Sequence, residues 1–395
     1  AQPARTDSAA GWTTVAAAFV AMGVVFGVAY SFGAFFAPMA AEFGAGSGAT
    51  SAVFSLTAFC FFLLGSVSGR AVDRFGPRPV LLVGAAALLI GLWLTARVQE
   101  LWVGYLTYGL GVGIAVACGY VPMVAVVGAW FERRRALALA LAVAGIGVGT
   151  LVGAPLAAAL IDDHGWRRTH VLFGVVGAVV LVVCALVARR PPPATGAAAL
   201  PVRALVRSRA FGALYAATVL ASLALFVPFV FLPSSAVRIG VTPVAGAALV
   251  GVIGVASVLG RVVLGALADR LGRIRTYQAC YAVVAASFPI WFLAGSYGAL
   301  LAFAVVLGIG YGGWIALQPA VIAEIFGLRG LGGVVGLVYT AAGFGALLGP
   351  PLAGVLVDVT GGYGAAIVVS GVFAAGSFVA LLPLGRAPVG TPSPR

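Results

Sequence analysis

Gly69-Arg70-Ala71-Val72-Asp73-Arg74-Phe75-Gly76-Pro77-Arg78 and Gly265-Ala266-Leu267-Ala268-Asp269-Arg270-Leu271-Gly272-Arg273-Ile274-Arg275 are two copies of one pattern, about 196 residues apart. Both close an apolar stretch with Gly-x-x-x-Asp-Arg-x-Gly and run straight into arginines. The likeness continues further along the chain. Phe131, Arg133, Gly147, Gly149, Gly153, Pro155, Leu156, Ala157 and Asp162 are answered in order by Phe326, Arg329, Gly343, Gly345, Gly349, Pro351, Leu352, Ala353 and Asp358. Chance similarity between apolar segments matches leucines and alanines, but it does not align glycines, prolines and charges. The chain therefore reads as two parallel copies of one unit, residues 1–190 and 210–395, an arrangement familiar from transport proteins. Between them lies 191–209, which opens with Pro191, Pro192 and Pro193 and is rich in arginine.

The material between the repeats is apolar. Of 395 residues, 62% are hydrophobic and 8% charged, whereas a soluble domain carries roughly 25% charged residues. Runs of about 20 apolar residues, each long enough for a ~30 Å hydrocarbon core, follow one another along the chain. Lipid offers backbone groups no partner, so such runs must be helices. A transmembrane barrel would alternate apolar and polar residues over ~10-residue segments, and Val171 to Val187 is apolar on every face. The expected fold is an all-α membrane protein with about twelve transmembrane helices in two six-helix bundles. The spans start near Trp12, Thr50, Val80, Leu101, Ala136, Val171, Phe211, Val244, Thr276, Leu300, Gly332 and Ala365. The stretch Trp12 to Pro38 is too long for a signal-peptide core and is kept as the first span.

The net charge of +13 suggests at first a polyanionic partner, but all 23 basic residues are arginine and most sit in short connections on alternate sides of the spans. Arg70, Arg74, Arg78, Arg133, Arg134, Arg135, Arg270, Arg273, Arg275 and Arg329 fall on one side, with the linker and both tails. Arg97, Arg167, Arg168 and Arg238 fall on the other, with Glu42, Glu100, Asp162, Asp163 and Asp358. The arginine-rich side is expected to be cytoplasmic, which puts a multi-pass protein in a cell inner membrane with both termini inside. No nucleic-acid partner is expected. Cys60, Cys118, Cys184 and Cys280 lie in apolar runs without ligand spacing. His164 and His170 make a poor zinc site without a third ligand, so neither a metal nor a cofactor is expected.

The paired Gly-x-x-x-Asp-Arg-x-Gly turns resemble the signature loop between helices two and three of the major facilitator superfamily, and the resemblance covers the whole chain. It implies that Asp73, Arg74, Arg78, Asp269, Arg270 and Arg273 form a cytoplasmic gate. An aspartate at a helix end can pair with arginine or with a helix N-terminus across the interface between halves. Arg74 and Arg78 also satisfy the topology signal alone. A narrower resemblance, to monocarboxylate transporters, is carried by Trp12, Phe26-Gly27-x-x-Tyr30-Ser31-Phe32-Gly33-x-Phe35-Phe36 and Trp130-Phe131-x-Arg133-Arg134. Tyr311 to Pro319 and Gly336 to Pro351 also look like the related oxalate/formate exchangers. Three departures stand out. Mammalian-type relatives carry a lysine where Tyr30 stands and an aspartate where Ser257 stands, and the exchangers carry a second cation in a helix where Val338 to Leu348 has none. Those departures leave the proton-carrying residue unassigned.

Residues whose chemistry differs between the copies are better site candidates than those that recur. Arg261 is the foremost, because its counterpart is Gly65 and because it lies eight residues before Asp269. That spacing is about 12 Å along a helix, well inside the hydrocarbon core. An arginine there costs at least ~2.5 kcal/mol on insertion scales unless it faces a cavity or a partner. Its planar fork suits a carboxylate. Ser257, one turn before it, either donates to the substrate or bonds back to its own helix. Tyr30, whose counterpart is Phe226, then Tyr120, Tyr311 and Tyr339, are either cavity phenols or core aromatics. Tyr311, Trp314 and Gln318 share one helix face. No nucleophile–base pair and no phosphate loop is present, so neither an enzyme nor an ATP-driven pump is expected. The resemblance implies a monomeric secondary transporter of small monocarboxylates of the lactate/pyruvate class, proton-coupled and working by alternating access among membrane lipid. An oxalate/formate-type organic anion exchanger is the alternative, followed by a ligand sensor that kept the fold.

Overall fold

A computed structural model describes residues 9–131, 134–190, 207–326 and 331–386. Most of the expected linker, both chain ends, Arg133 and Arg329 lie outside the described residues, as does the side chain of Asp269. Every regular element described is helical. In chain order the long helices are α1 (Ala9–Phe43), α2 (Ser47–Phe75), α3 (Pro77–Thr95), α4 (Leu101–Trp130), α5 (Arg135–His164) and α6 (Trp166–Val187). They continue with α7 (Arg209–Arg238), α8 (Pro243–Leu271), α9 (Arg273–Phe292), α10 (Tyr297–Phe326), α11 (Leu331–Thr360) and α12 (Gly364–Leu381). Eleven of these are long and apolar enough to cross a membrane. The exception is α9, whose 20 residues include Arg273, Arg275 and Gln278.

Two helices are interrupted where the sequence forces it. The ladder of α4 breaks at Tyr120, because Pro122 has no N–H to offer the carbonyl of Cys118. In α1 the break falls at Ser31, whose hydroxyl donates to the Val28 carbonyl at 2.7 Å. Helix ends are set by glycine. Gly76 and Gly272, which close the two signature copies, have φ of 85° and 91°, a region open to glycine and strained for other residues.

The outer surface is lined by apolar side chains such as Leu186, Val176, Val263 and Val372, all exposed, as lipid contact requires. Inside, small residues let helices touch. A Cβ on Gly27 of α1 would lie 2.8 Å from the Gly149 carbonyl oxygen of α5, a separation that only glycine permits. Contacts between the two copies are made by matching elements: α2 packs along α11, and α5 packs along α8. Because α2 and α8 are repeat counterparts, as are α5 and α11, the two crossings are related by the same duplication.

The two ends of the molecule differ. At the end opposite the signature turns, the α1 and α7 termini meet, with the rings of Phe36 and Phe231 5.1 Å apart. The Asp358 carboxylate of α11 accepts hydrogen bonds from the backbone N–H groups of Ser47 (2.8 Å) and Gly48 (3.0 Å) at the start of α2. On the same end Arg167 pairs with Glu42 at 2.7 Å, while Arg238 donates to the Gly361 carbonyl at 2.9 Å. The arginine-rich end has no comparable closure between copies. There Arg190 donates to the Arg74 carbonyl (2.8 Å) and Arg78 to the Leu186 carbonyl (3.2 Å), both within the first copy.

Candidate functional site

Arg261 on α8, Tyr30 on α1, Tyr120 at the α4 break, Tyr311 and Gln318 on α10 and Tyr339 on α11 all line one central cavity. Phe26, Phe61, Phe62, Phe226 and Trp314 add further aromatic wall. Residues from both copies contribute to it.

Within that apolar shell Arg261 has no hydrogen-bond or ion-pair partner among the described residues. Its Nε and Nη1 are shielded from solvent and make no hydrogen bond. The ion pair of Arg167 with Glu42, at the far end, is the one found among the described residues. No aspartate or glutamate among the described residues lines the cavity. A guanidinium held this way is costly unless a ligand or water completes it, and a carboxylate fits its fork with two charge-assisted hydrogen bonds.

The tyrosines sit around it in different ways. The Tyr30 and Tyr311 hydroxyls approach to 3.5 Å, the outer limit of a hydrogen bond. Tyr30 also stacks on Phe229 of α7, with ring centroids 4.3 Å apart, and so joins the two copies above the cavity. Tyr120 meets Phe26 edge-on at 5.4 Å, and Tyr339 lies 5.9 Å from the Phe62 ring. Gln318 is held by its amide, which donates to Thr218 at 3.3 Å. Ser257 is the exception among the expected residues. Its hydroxyl donates to the Gly254 carbonyl at 2.7 Å, its backbone abuts Gly312 of α10, and it is not on the cavity wall. Of its two readings the structure takes bonding back to its own helix.

Below Tyr120 and Tyr339 the space continues toward the arginine-rich end, past Ser66, Val121, Val124, Pro319 and Val335. Above it the Tyr30–Phe229 and Phe36–Phe231 contacts close the path. The expected gate residues are not on the wall of that space. Asp73, Arg74, Arg78, Arg270 and Arg273 are exposed, and no ion pair joins them to another described residue. Arg74 instead rests against the Phe75 ring, 5.2 Å from its centroid.

Two further polar groups face this cavity and were not among the expected site residues. Ser222 Oγ and Trp314 Nε1 are buried there without hydrogen-bond partners. A signal for Ser222 existed, because its repeat counterpart about 196 residues earlier is Phe26, a change of chemistry like that between Gly65 and Arg261. His170 is buried elsewhere, stacked on Phe35 at 4.0 Å. No group of three or more His, Cys, Asp or Glu among the described residues is arranged to hold a metal.

Comparison with known proteins adds the family. Residues 16–296 and 214–395 match the Major Facilitator Superfamily. The chain is 33% identical over 395 residues to monocarboxylate transporter 3 of Rattus norvegicus, covering 93% of this chain and 80% of that protein. It is also 33% identical over 399 residues to monocarboxylate transporter 11 of Homo sapiens, covering 96% and 84%. Among solved structures, a bacterial homologue of the human lysosomal transporter Spinster, inward-facing and occupied, superposes with a TM-score of 0.78 at 16% identity, over 96% of this chain and 98% of that one. The nucleoside transporter NupG superposes at 0.77 with 12% identity, over 95% and 99%, a likeness of fold alone. These matches are transporters, not enzymes, and the chain belongs to the major facilitator superfamily as a monocarboxylate transporter-like member.

Proposed function

We propose that this protein is a proton-coupled secondary transporter of small monocarboxylates of the lactate or pyruvate class. It works as a monomer by alternating access in the cell inner membrane, with both termini cytoplasmic. Residues 1–190 and 210–395 form two six-helix bundles joined by the 191–209 linker, with α9 as the twelfth crossing helix. They rock against each other along the α2–α11 and α5–α8 crossings. The observation that carries this reading is the Arg261 guanidinium, unpaired in an aromatic cavity shared by both copies. One cation neutralises one carboxylate and leaves a second desolvated, which favours monocarboxylates over oxalate or succinate. Tyr30, Tyr120, Tyr311, Tyr339 and Gln318 shape the space around the bound acid, and Asp73, Arg74, Arg78, Asp269, Arg270 and Arg273 close the cytoplasmic mouth in the opposite state. No carboxylate among the described residues lines the cavity, so the proton travels with the substrate or through Asp73 or Asp269 at the gate.

Uptake of radiolabelled lactate into proteoliposomes tests the assignment. Arg261→Gln should weaken lactate binding more than tenfold, since a hydrogen bond to a charged group is worth ~1.5–3 kcal/mol. Arg261→Lys should bind weakly, having charge but no fork. Uptake should quicken on external acidification and ignore an imposed membrane potential. Near-normal affinity in a folded Arg261→Gln protein would sink the site. Dependence on an internal counter-anion alone, with oxalate competing as well as lactate, would instead make the protein an exchanger.

A further inference from the structure

Serine inside a helix usually bonds back to a carbonyl one turn earlier. Among the described residues, Ser31, Ser51, Ser257, Ser287, Ser370 and Ser377 are buried and do this at 2.6–3.0 Å. Two buried serines keep a hydroxyl with no partner, Ser55 and Ser222. Ser55 lies off the central cavity, while Ser222 lines it. Packing explains where Ser222 stands. A Cβ on Gly345 of α11 would come within 2.5 Å of the Ser222 Cβ, so the side chain is wedged at the α7–α11 crossing. Leaving a buried hydroxyl without a hydrogen bond is costly, a cost that a bound ligand would remove.

We propose that Ser222 is the residue that recognises an oxygen on the carbon next to the substrate carboxylate, making the site selective for 2-hydroxy and 2-oxo acids over unsubstituted short-chain acids. The proposal rests on the reading that Arg261 holds the carboxylate. A serine hydroxyl both donates and accepts. It therefore serves a keto oxygen by donating and an alcohol by doing either, and one residue accommodates both oxidation states. Trp314, the other unpartnered group of this wall, is a donor only; it could donate to either oxygen but, unlike Ser222, cannot accept from the O–H of a 2-hydroxy acid. Across the duplication the Ser222 position is Phe26, which lines the same cavity and offers only an apolar wall to the rest of the acid.

The test uses the full-length protein in proteoliposomes, with lactate, pyruvate and propionate competing against labelled lactate. Wild type should bind lactate and pyruvate more tightly than propionate. Ser222→Ala should weaken lactate and pyruvate by about three- to tenfold, the worth of one neutral hydrogen bond, and leave propionate unchanged. Ser222→Thr, which keeps the hydroxyl, should retain the preference. Arg261→Gln should weaken all three acids together, so loss of the carboxylate site is distinguishable from loss of the 2-oxygen contact. A wild type without preference for lactate over propionate overturns the proposal, and that measurement needs no variant to fold. Equal weakening of all three acids by Ser222→Ala, or an unchanged lactate-to-propionate ratio, overturns it as well.

Discussion

Replacing Asp358 with alanine should loosen the shut end of the molecule. The first N–H groups of any helix lack intrahelical partners, and α2 begins after Gly46, which has no side chain to cap them. Asp358 does so from the other copy, accepting from Ser47 and Gly48 at 2.8 and 3.0 Å. Losing such a cap costs about 0.5–2 kcal/mol. Asp358 is exposed, so the lower half of that range applies, and ~1 kcal/mol corresponds to about a fivefold shift in population. The repeat provides a control, because Asp162 is exposed and makes no hydrogen bond among the described residues, and α8 is capped by its own Thr242, 3.4 Å from the Ala245 nitrogen. A cysteine at Met39, fully buried at the same end of α1 and not one of the closing ring contacts, reports opening through its rate of reaction with a water-soluble maleimide added from that side. The four native cysteines are buried and keep the background low. In this background Asp358→Ala should raise the labelling rate about fivefold and Asp162→Ala should leave it unchanged. Equal rates in the Asp358→Ala and parent proteins would refute the latch.

Two further substitutions probe packing. Gly149→Leu should abolish folded protein on size-exclusion analysis in detergent, because even its Cβ would overlap the Gly23 backbone of α1. Gly128→Ala, with open space around it, should be tolerated. His170→Phe should raise the melting temperature by a few degrees, since both ring nitrogens are buried without partners and each such group costs about 1–3 kcal/mol. A lower melting temperature would mean that the imidazole has a role the aromatic stack does not reveal.

Much of the architecture was legible because its causes are local. Span length follows from apolar run length, and the signature glycines, prolines and charges recur in register, so helix positions and the duplication could both be read directly. The expected span that is not among the eleven apolar helices is α9, where Arg273, Arg275 and Gln278 dilute the apolar signal. Arg261 was also readable, since a lone charge deep in an apolar run admits few explanations. Ser257 and Ser222 were not separable by residue type. Whether a helical serine bonds back depends on its rotamer, and for Ser222 that rotamer is set beside Gly345, more than a hundred residues away. The conformation at the arginine-rich end was equally out of reach, because the same arginines and aspartates are present in the sequence whatever pairs they form.

The pairing of Gly65 with Arg261 bears on what this scaffold can become. Gly65 sits buried on α2, and a Cβ there would press to 2.9 Å against Val121 of α4. A matching arginine in the first copy would therefore have to arrive together with a smaller residue at position 121. One substitution alone would jam the α2–α4 contact before it offered any new charge. A clamp with twofold symmetry, gripping both ends of a diacid, thus lies at least two coordinated changes away. The asymmetry of the proposed site is protected by sterics.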